Sequence, residues 1–267
     1  MRHWGLGRDP FAELDSPYVP LPSHDEAVAR LVHTIETSQR RAIFTAAAGL
    51  GKTTVLRKAF AETQSPRRRF ASVSCPRDGS LLFTLLAERL GERLGREPDR
   101  LGSWRRLERA IRISSLQGFQ VVLAVDDCNQ IGSHELRRDL DSLVQLGTKS
   151  GTDLTIIQLE RTNRHHRSDS SGSWSLAINL QALTRSQTER YLSTKLDAAG
   201  CAEPIFTPRA ITRLHGLSVG VPRALEQLAS LSLISGAVRG LEVISPDLVD
   251  GVAHECRGEV RGLGGWA

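Results

Sequence analysis

A loop of small residues between a predicted strand and a predicted helix restricts the possible folds and functions of this chain more than any other feature. The loop runs from Ala46 to Thr53 and ends in Gly-Lys-Thr. Arg41 to Thr45 has the pattern of a short buried strand, and from Thr54 onward apolar residues recur at helical spacing. A strand, a tight loop and a helix in this order form a phosphate-binding loop. The chain is therefore expected to bind a nucleoside triphosphate, although a loop that only packs remains an alternative.

Each position in this loop matches a requirement of triphosphate binding. Small residues let backbone N–H groups face the phosphates, and the helix N-terminus adds a favourable dipole. Lys52 would reach the β- and γ-phosphate oxygens, and the hydroxyl of Thr53 would bind Mg2+. The predicted nucleotide-binding residues are Ala46, Gly49, Leu50, Gly51, Lys52, Thr53 and Thr54. Ala46 replaces the usual glycine, which is harmless at negative φ but would cost about 1–2 kcal/mol in the left-handed region.

Two carboxylates follow an apolar run in the middle of the chain. Gln120 to Val125 is too short for an independent helix and has the pattern of a buried parallel strand, which leads directly into Asp126 and Asp127. Ligands of open α/β sheets bind at the carboxyl ends of the strands. We therefore expect Asp126 to hold Mg2+ and Asp127 to orient or deprotonate the attacking water. Without the loop, the two acids would be interpreted as caps of the next turn.

Composition restricts the class of protein and leaves its partner open. With 267 residues, 40% of them hydrophobic, the chain can bury one substantial core and a smaller one. A formal charge of +5, with arginines clustered at Arg67 to Arg69 among other places, permits DNA binding without requiring it. The four cysteines are scattered, as expected for reduced thiols in a cytosolic protein. No apolar stretch approaches the ~20 residues of a membrane span, so a cytoplasmic location is expected.

The order of predicted elements indicates the fold. Strands alternate with helices up to about residue 180, which predicts an α/β fold, a three-layer parallel-sheet P-loop NTPase core. Helical periodicity then dominates, with start signals at Thr184, Thr207 and Ser245, and predicts a small C-terminal helical lid. The predicted domains are an N-terminal segment with the first helix (1–38), the core (39–180), the lid (181–256) and a flexible tail (257–267). A capping box at Ser23 and Glu26 is expected to start the first helix.

Together these motifs resemble AAA+ ATPases of the ExeA/GspA type from the general secretion pathway, with TniB/TnsC-like transposition ATPases as relatives. The resemblance rests on Gly5-Leu6, Asp9-Pro10-Phe11, Tyr18-Val19-Pro20, Ser23 to Ala27, the phosphate loop, Asp126 to Gln130, and Gly220-Val221-Pro222-Arg223. It implies ATP and Mg2+ as cofactors, ATP hydrolysis, and assembly into a homo-oligomer when ATP binds. It also implies a protein partner and makes DNA a possible one.

The resemblance implies roles for individual arginines as well. Arg223 resembles the family's sensor 2, an arginine that reaches the γ-phosphate from the lid, which makes it a catalytic or coupling residue alongside Lys52, Asp126 and Asp127. A surface arginine at a helix start is the alternative. The family's sensor-1 position falls near Glu160-Arg161 without a secure assignment. Arg161, Arg164 and Arg167 all remain candidates for an arginine finger.

One departure and two alternatives bear on turnover. The family has glutamate where this chain has Asp127, so the predicted base is one methylene shorter and slow hydrolysis is expected. The acid pair and Gly220-Val221-Pro222 also resemble the STAND class of nucleotide-controlled switches. A nucleotide-binding scaffold that hardly turns over is the non-enzymatic alternative.

Overall fold

The computed structural model describes residues 1–12, 18–76, 81–92, 99–128, 133–149, 151–162, 176–201 and 203–262. Strands and helices alternate in the first part of the chain, and helices follow one another in the last part. The strands are β1 (Arg41–Ala46), β2 (Arg68–Ser74), β3 (Gln120–Asp126), β4 (Leu154–Arg161) and β5 (Leu176–Leu180). The helices are α1 (Pro22–Glu36), α2 (Lys52–Glu62), α3 (Leu82–Arg89), α4 (Arg100–Leu116), α5 (Ser133–Lys149), α6 (Arg185–Ala198), α7 (Pro208–Ser218), α8 (Pro222–Val238) and α9 (Pro246–Gly262).

The strands form one sheet in the order β2-β3-β4-β1-β5. Every neighbouring pair in it is parallel. Residues Gln120 to Val125 of β3 are all buried, because helices cover both faces of a parallel sheet. The predicted α/β P-loop NTPase fold is therefore confirmed. Its strand order places the carboxyl ends of β1, β4 and β3 side by side.

The chain divides into two compact units, each with its own core. The first comprises residues 22–48 and 52–180; the second comprises residues 1–21, 49–51 and 181–267. Leu123, Leu140 and Ile156 are fully buried in the core of the first unit. Leu225 and Ile244 are fully buried in the core of the second, which contains α6 to α9. The N-terminal segment thus packs with the late helices and α1 with the sheet, a division that the predicted boundary at residue 38 missed.

Helix starts agree with the sequence signals in three places and differ in one. Helix α9 begins at Pro246, directly after Ser245, as expected. Thr184 and Gln187 form the expected capping box of α6, and Thr207 caps α7 with Pro208 as the first helical residue. The expected capping box of α1 is wrong: the helix begins at Pro22, a residue favoured in the first turn, so that Ser23 lies inside it. Glu26 instead accepts a hydrogen bond from Arg30 at 2.7 Å.

The end of the chain differs from prediction as well. Helix α9 continues to Gly262, so the tail expected from residue 257 is helical at its start, while residues 263–267 lie outside the described part. None of the helices in the described ranges is both long and apolar enough to cross a membrane.

The turn between α7 and α8 has two consecutive left-handed residues. Val219 has φ 51° and Gly220 has φ 68°. The N–H of Leu183 donates to the carbonyl of Gly220 at 2.8 Å, and a Cβ on Gly220 would clash with the Leu183 carbonyl oxygen. Only glycine fits so close an approach. This turn fixes the position at which α8 begins, and therefore the position of Arg223 in its first turn.

Candidate nucleotide-binding site

The predicted phosphate loop joins the end of β1 to the start of α2. Gly49 and Gly51 have φ 80° and 93°, which are conformations that glycine adopts without cost. Ala46 is the last residue of β1 and keeps the negative φ of a strand, so alanine is unstrained where the usual motif has glycine. Leu50 is buried at 3% exposure. The hydroxyl of Thr54, on the first turn of α2, makes no hydrogen bond to the described residues.

Lys52 is the first residue of α2 and is only 8% exposed. Its ammonium group donates hydrogen bonds to the carbonyl oxygens of Ala46 at 2.9 Å and Ala47 at 3.4 Å. Burial lowers the pKa of Lys52, the charges of Asp126 and Asp127 oppose that change, and the Arg161 charge adds to it. The loop thus holds a cation at its centre, close to two carboxylates and a guanidinium.

The predicted metal ligands face each other. The hydroxyl of Thr53 donates to Oδ2 of Asp126 at 3.1 Å. The other carboxylate oxygen of Asp126 accepts from the backbone N–H of Asp127 at 2.7 Å, which fixes the orientation of the side chain. Hydroxyl and carboxylate oxygens are the donors that Mg2+ prefers, so the predicted pair fits the metal. The described residues contain no group of three or more His, Cys, Asp or Glu side chains that could hold a metal ion.

Asp127 has a different environment from that of its neighbour. It follows β3 with φ 56°, in the left-handed region that aspartate tolerates better than most residues. Both of its carboxylate oxygens accept hydrogen bonds from Arg161, at 2.8 Å from Nε and 3.0 Å from Nη2. The hydrogen bond and charge of Asp127 raise the pKa of Arg161. The predicted base is thus one half of a bidentate ion pair.

Sequence reasoning did not identify Arg161 as the partner of Asp127. Strand β4 continues to Arg161 and brings its side chain to the edge where Asp127 lies. No local sequence signal reveals the pair, because it depends on the strand order, in which β4 lies between the strand of the loop and the strand of the acids. Arg164 and Arg167, the other finger candidates, lie outside the described residues.

Arg223 is the second residue of α8, and its backbone contacts the loop glycine that belongs to the same unit. Its N–H donates to the carbonyl of Gly49 at 3.2 Å. A Cβ on Gly49 would lie 3.0 Å from Cβ of Arg223 and 3.0 Å from Cγ1 of Val221. Gly49 therefore meets two requirements, a left-handed φ and the close approach of the start of α8.

Two buried thiols adjoin the acids. Cys75 and Cys128 are buried free cysteines that follow β2 and β3. Burial raises the pKa of Cys75 to about 11, and the charges of Asp127 and Asp139 add to the effect. Burial also raises the pKa of Cys128. Both thiols are therefore protonated at neutral pH and unreactive as nucleophiles.

The basic cluster at the start of β2 is largely used within the fold. Arg68 donates to Gln120 at 2.6 Å and to the Thr63 carbonyl at 2.9 Å. Arg69 bonds Ser114 and Gln117. Its guanidinium also lies 4.3 Å from the centre of the Phe119 ring. Of the three arginines in this cluster, only Arg67 is exposed.

Comparison with known proteins finds similarity over part of the chain. Residues 35–159 match the family described as AAA domain, a segment that includes both the phosphate loop and the acid pair. A general secretion pathway protein A from Aeromonas hydrophila is 35% identical over 88 residues, which cover 33% of this chain and 16% of that relative. The match thus spans less than a fifth of the relative's length.

Solved structures share the fold at low sequence identity. A chain of Drosophila ORC bound to DNA has a TM-score of 0.74 at 14% identity, covering 99% of this chain and 69% of that one. The Aeropyrum pernix ORC1 protein in complex with DNA has a TM-score of 0.72 at 15% identity, covering 93% and 69%. A Walker-type ATPase of Pyrococcus abyssi has a TM-score of 0.63 at 15% identity, covering 95% and 79%.

The chain thus shares its fold with these proteins, and the segment that matches the AAA domain family, residues 35–159, is just under half of its length. The predicted resemblance to the general secretion pathway protein A type is confirmed by the match to the Aeromonas hydrophila protein. The relation to TniB/TnsC-like transposition ATPases stays a prediction.

Proposed function

We propose that this chain binds ATP with Mg2+, hydrolyses it, and uses the bound nucleotide to control its own assembly and a partner complex. The observation that carries the proposal is the convergence of three predicted residues at one edge of the sheet. Lys52 is buried in the loop, and Thr53 and Asp126 lie 3.1 Å apart. The AAA domain match over this segment supports the same conclusion.

Thr53 and Asp126 would hold Mg2+, which when bound neutralises charge on the β- and γ-phosphates. Lys52 would contact the same phosphates through its ammonium group, and the loop N–H groups would complete the cradle. Asp127 would accept a proton from the water whose oxygen attacks the terminal phosphorus. The bond from that phosphorus to the bridging oxygen breaks, leaving ADP and inorganic phosphate.

Arg223 is proposed to sense the γ-phosphate and to couple it to assembly. Its backbone hydrogen bond to Gly49 supports this role, because a movement of the loop at Gly49 would also displace the start of α8. The family resemblance supports assembly as the output.

A nucleotide switch or scaffold with little turnover is the alternative function. The observation that favours it is the ion pair of Asp127 with Arg161, since a carboxylate with both oxygens occupied is a poor base. Phosphate release from ATP separates the two proposals. Turnover that requires Mg2+ supports the ATPase, whereas tight ATP binding without phosphate release supports the switch.

DNA is the second candidate partner beside a protein. The positive charge supports it, as does the fold shared with two proteins whose structures were determined with DNA. About six phosphate contacts would make affinity fall roughly 10³-fold between 50 and 200 mM salt. An electrophoretic shift with ATP and duplex DNA across this salt range tests the idea. If no salt-sensitive shift is observed, DNA is excluded as the partner, and the proposal that remains is an assembly ATPase directed at a protein.

A further inference from the structure

A cleft of about 530 Å³ opens on the surface of the first unit, between residues of α3, α4 and α5. The rings of Phe83 and Trp104 meet edge to face in it, with centroids 5.0 Å apart. Beside them Leu101 is 54% exposed, which is unusual for a large apolar side chain next to two aromatic rings. The volume is in the range of binding sites in proteins. The lining residues, all distinct from those proposed to bind the nucleotide, are Phe83, Arg100, Leu101, Trp104, Asp139 and Ser142.

The rim of this cleft is positively charged. Arg100 donates a hydrogen bond to the carboxylate of Asp139, so these two charges offset each other. Their exposure is unequal, because the side chain of Arg100 is 43% exposed and that of Asp139 only 10%. Arg105 and Arg138 are exposed and each lies one helical turn from a lining residue, on α4 and α5 respectively. Neither of these two guanidinium groups makes an ion pair within the described residues.

An apolar floor and a cationic rim fit an amphipathic helix that carries acidic residues beside its apolar stripe. Its apolar side chains would enter the cleft and cover Leu101, as in other complexes in which a helix occupies a groove. Its carboxylates would pair with the arginines of the rim. Glu108, one turn after Trp104, would not repel them strongly, because Arg112 holds it at 2.8 Å. Duplex DNA presents phosphates along its backbone, which would satisfy the arginines but leave the apolar floor without a partner.

We propose that the cleft between α3, α4 and α5 is the docking site for the protein partner, and that the partner presents an acidic amphipathic helix to it. This inference rests on the proposed function, because that function includes a partner complex. It adds the surface that the partner occupies and the chemistry by which it is recognised. Since the cleft and the phosphate loop have no residue in common, partner binding and ATP binding are expected to be separable by substitution.

A displayed library of peptides tests the proposal without requiring the identity of the partner. Each peptide is about four helical turns long, with leucines at i, i+3 and i+7 and random polar or charged residues elsewhere. Selection on the full chain, with counter-selection on Leu101→Glu, should enrich Asp and Glu over Lys and Arg at least about threefold beside the leucines. Enrichment of Lys and Arg, no preference in charge, or no peptide that wild type retains and Leu101→Glu rejects would each overturn the proposal.

Fluorescence anisotropy with one enriched, labelled peptide measures the contribution of single residues. Leu101→Glu should weaken binding at least about tenfold, because it removes an apolar contact and adds a negative charge. Arg105→Glu should weaken it by about three- to tenfold. Leu116→Glu is the matched control, since it places the same charge on an 88% exposed leucine about 22 Å further along α4. It should bind like wild type. Equal weakening by the two leucine substitutions would overturn the proposal, because the effect would then come from charge on α4 in general.

Duplex DNA and a fluorescent ATP analogue, titrated on the same variants, complete the test. DNA that displaces the peptide, and whose binding is weakened by Leu101→Glu but not by Leu116→Glu, would overturn the proposal in favour of a nucleic-acid site. The ATP analogue should bind wild type and Leu101→Glu equally. If wild type does not bind the analogue while the peptides behave as expected, the nucleotide function is wrong and the docking site stands. If the analogue binds and the peptides fail, only the docking site is wrong.

Discussion

Asp126 and Asp127 are adjacent in sequence, yet their side chains have different partners, Thr53 for the first and Arg161 for the second. Asp126→Asn should therefore abolish both the Mg2+ dependence and the turnover. Asp127→Asn should keep ATP bound and lower turnover by roughly 10²-fold or more, because a general base is lost. Phosphate release together with retention of radiolabelled ATP on a desalting column measures the difference. Equal loss of ATP retention in both variants would contradict the division of roles.

The local motifs were predictable because their chemistry depends on neighbours in sequence. The loop from Ala46 to Thr53 and the acid pair could be located without a fold, since each follows an apolar strand pattern. The ion pair of Asp127 with Arg161 could not, because it joins residues 34 positions apart through the strand order. The close approach of the start of α8 to Gly49 could not be predicted either, because it joins parts of the chain that are distant in sequence.

The turn that leads into α8 gives a test of the second unit. Gly220 and Gly240 have similar positive φ values, 68° and 64°, but only Gly220 lies against another backbone. Gly240→Ala should lower the free energy of unfolding by about 1–2 kcal/mol through backbone strain alone. Gly220→Ala should cost about 1–3 kcal/mol more, because the clash with Leu183 breaks their hydrogen bond.

Urea unfolding of both variants, followed by circular dichroism, measures this difference, with Gly240→Ala as the matched control. Equal unfolding free energies would mean that the close approach at Gly220 does not constrain the start of α8.

Element types were predictable from periodicity, whereas their ends and partners were less so. The buried strand β3 was evident because a continuous apolar run fits a parallel sheet. The start of α1 was misplaced, since a proline in the first turn outweighed the serine signal at Ser23. The packing of residues 1–21 with α6 to α9 depends on long-range contacts such as that of Trp4, whose indole N–H donates to the Leu233 carbonyl at 2.9 Å. No local pattern encodes such a contact.

Assembly is the property of the whole molecule that the proposal makes measurable. A non-hydrolysable ATP analogue should convert the chain into larger species, because nucleotide binding is proposed to control self-assembly. Arg223→Ala should reduce that conversion, whereas Arg239→Ala, at the other end of the same helix, should not. Multi-angle light scattering over a range of protein concentrations measures the mass. An unchanged monomer at every concentration would favour an isolated nucleotide switch.

The most direct test of the proposed nucleotide site is a titration of the chain with a fluorescent ATP analogue in the presence of Mg2+. Lys52→Ala removes the cation at the centre of the loop and should lower affinity by at least about 10²-fold, the equivalent of roughly 3 kcal/mol. Lys58→Ala, on the same helix and paired with Glu62, removes an equal charge away from the loop and should bind like wild type. Equal affinity of wild type and Lys52→Ala would contradict the assignment of the nucleotide site.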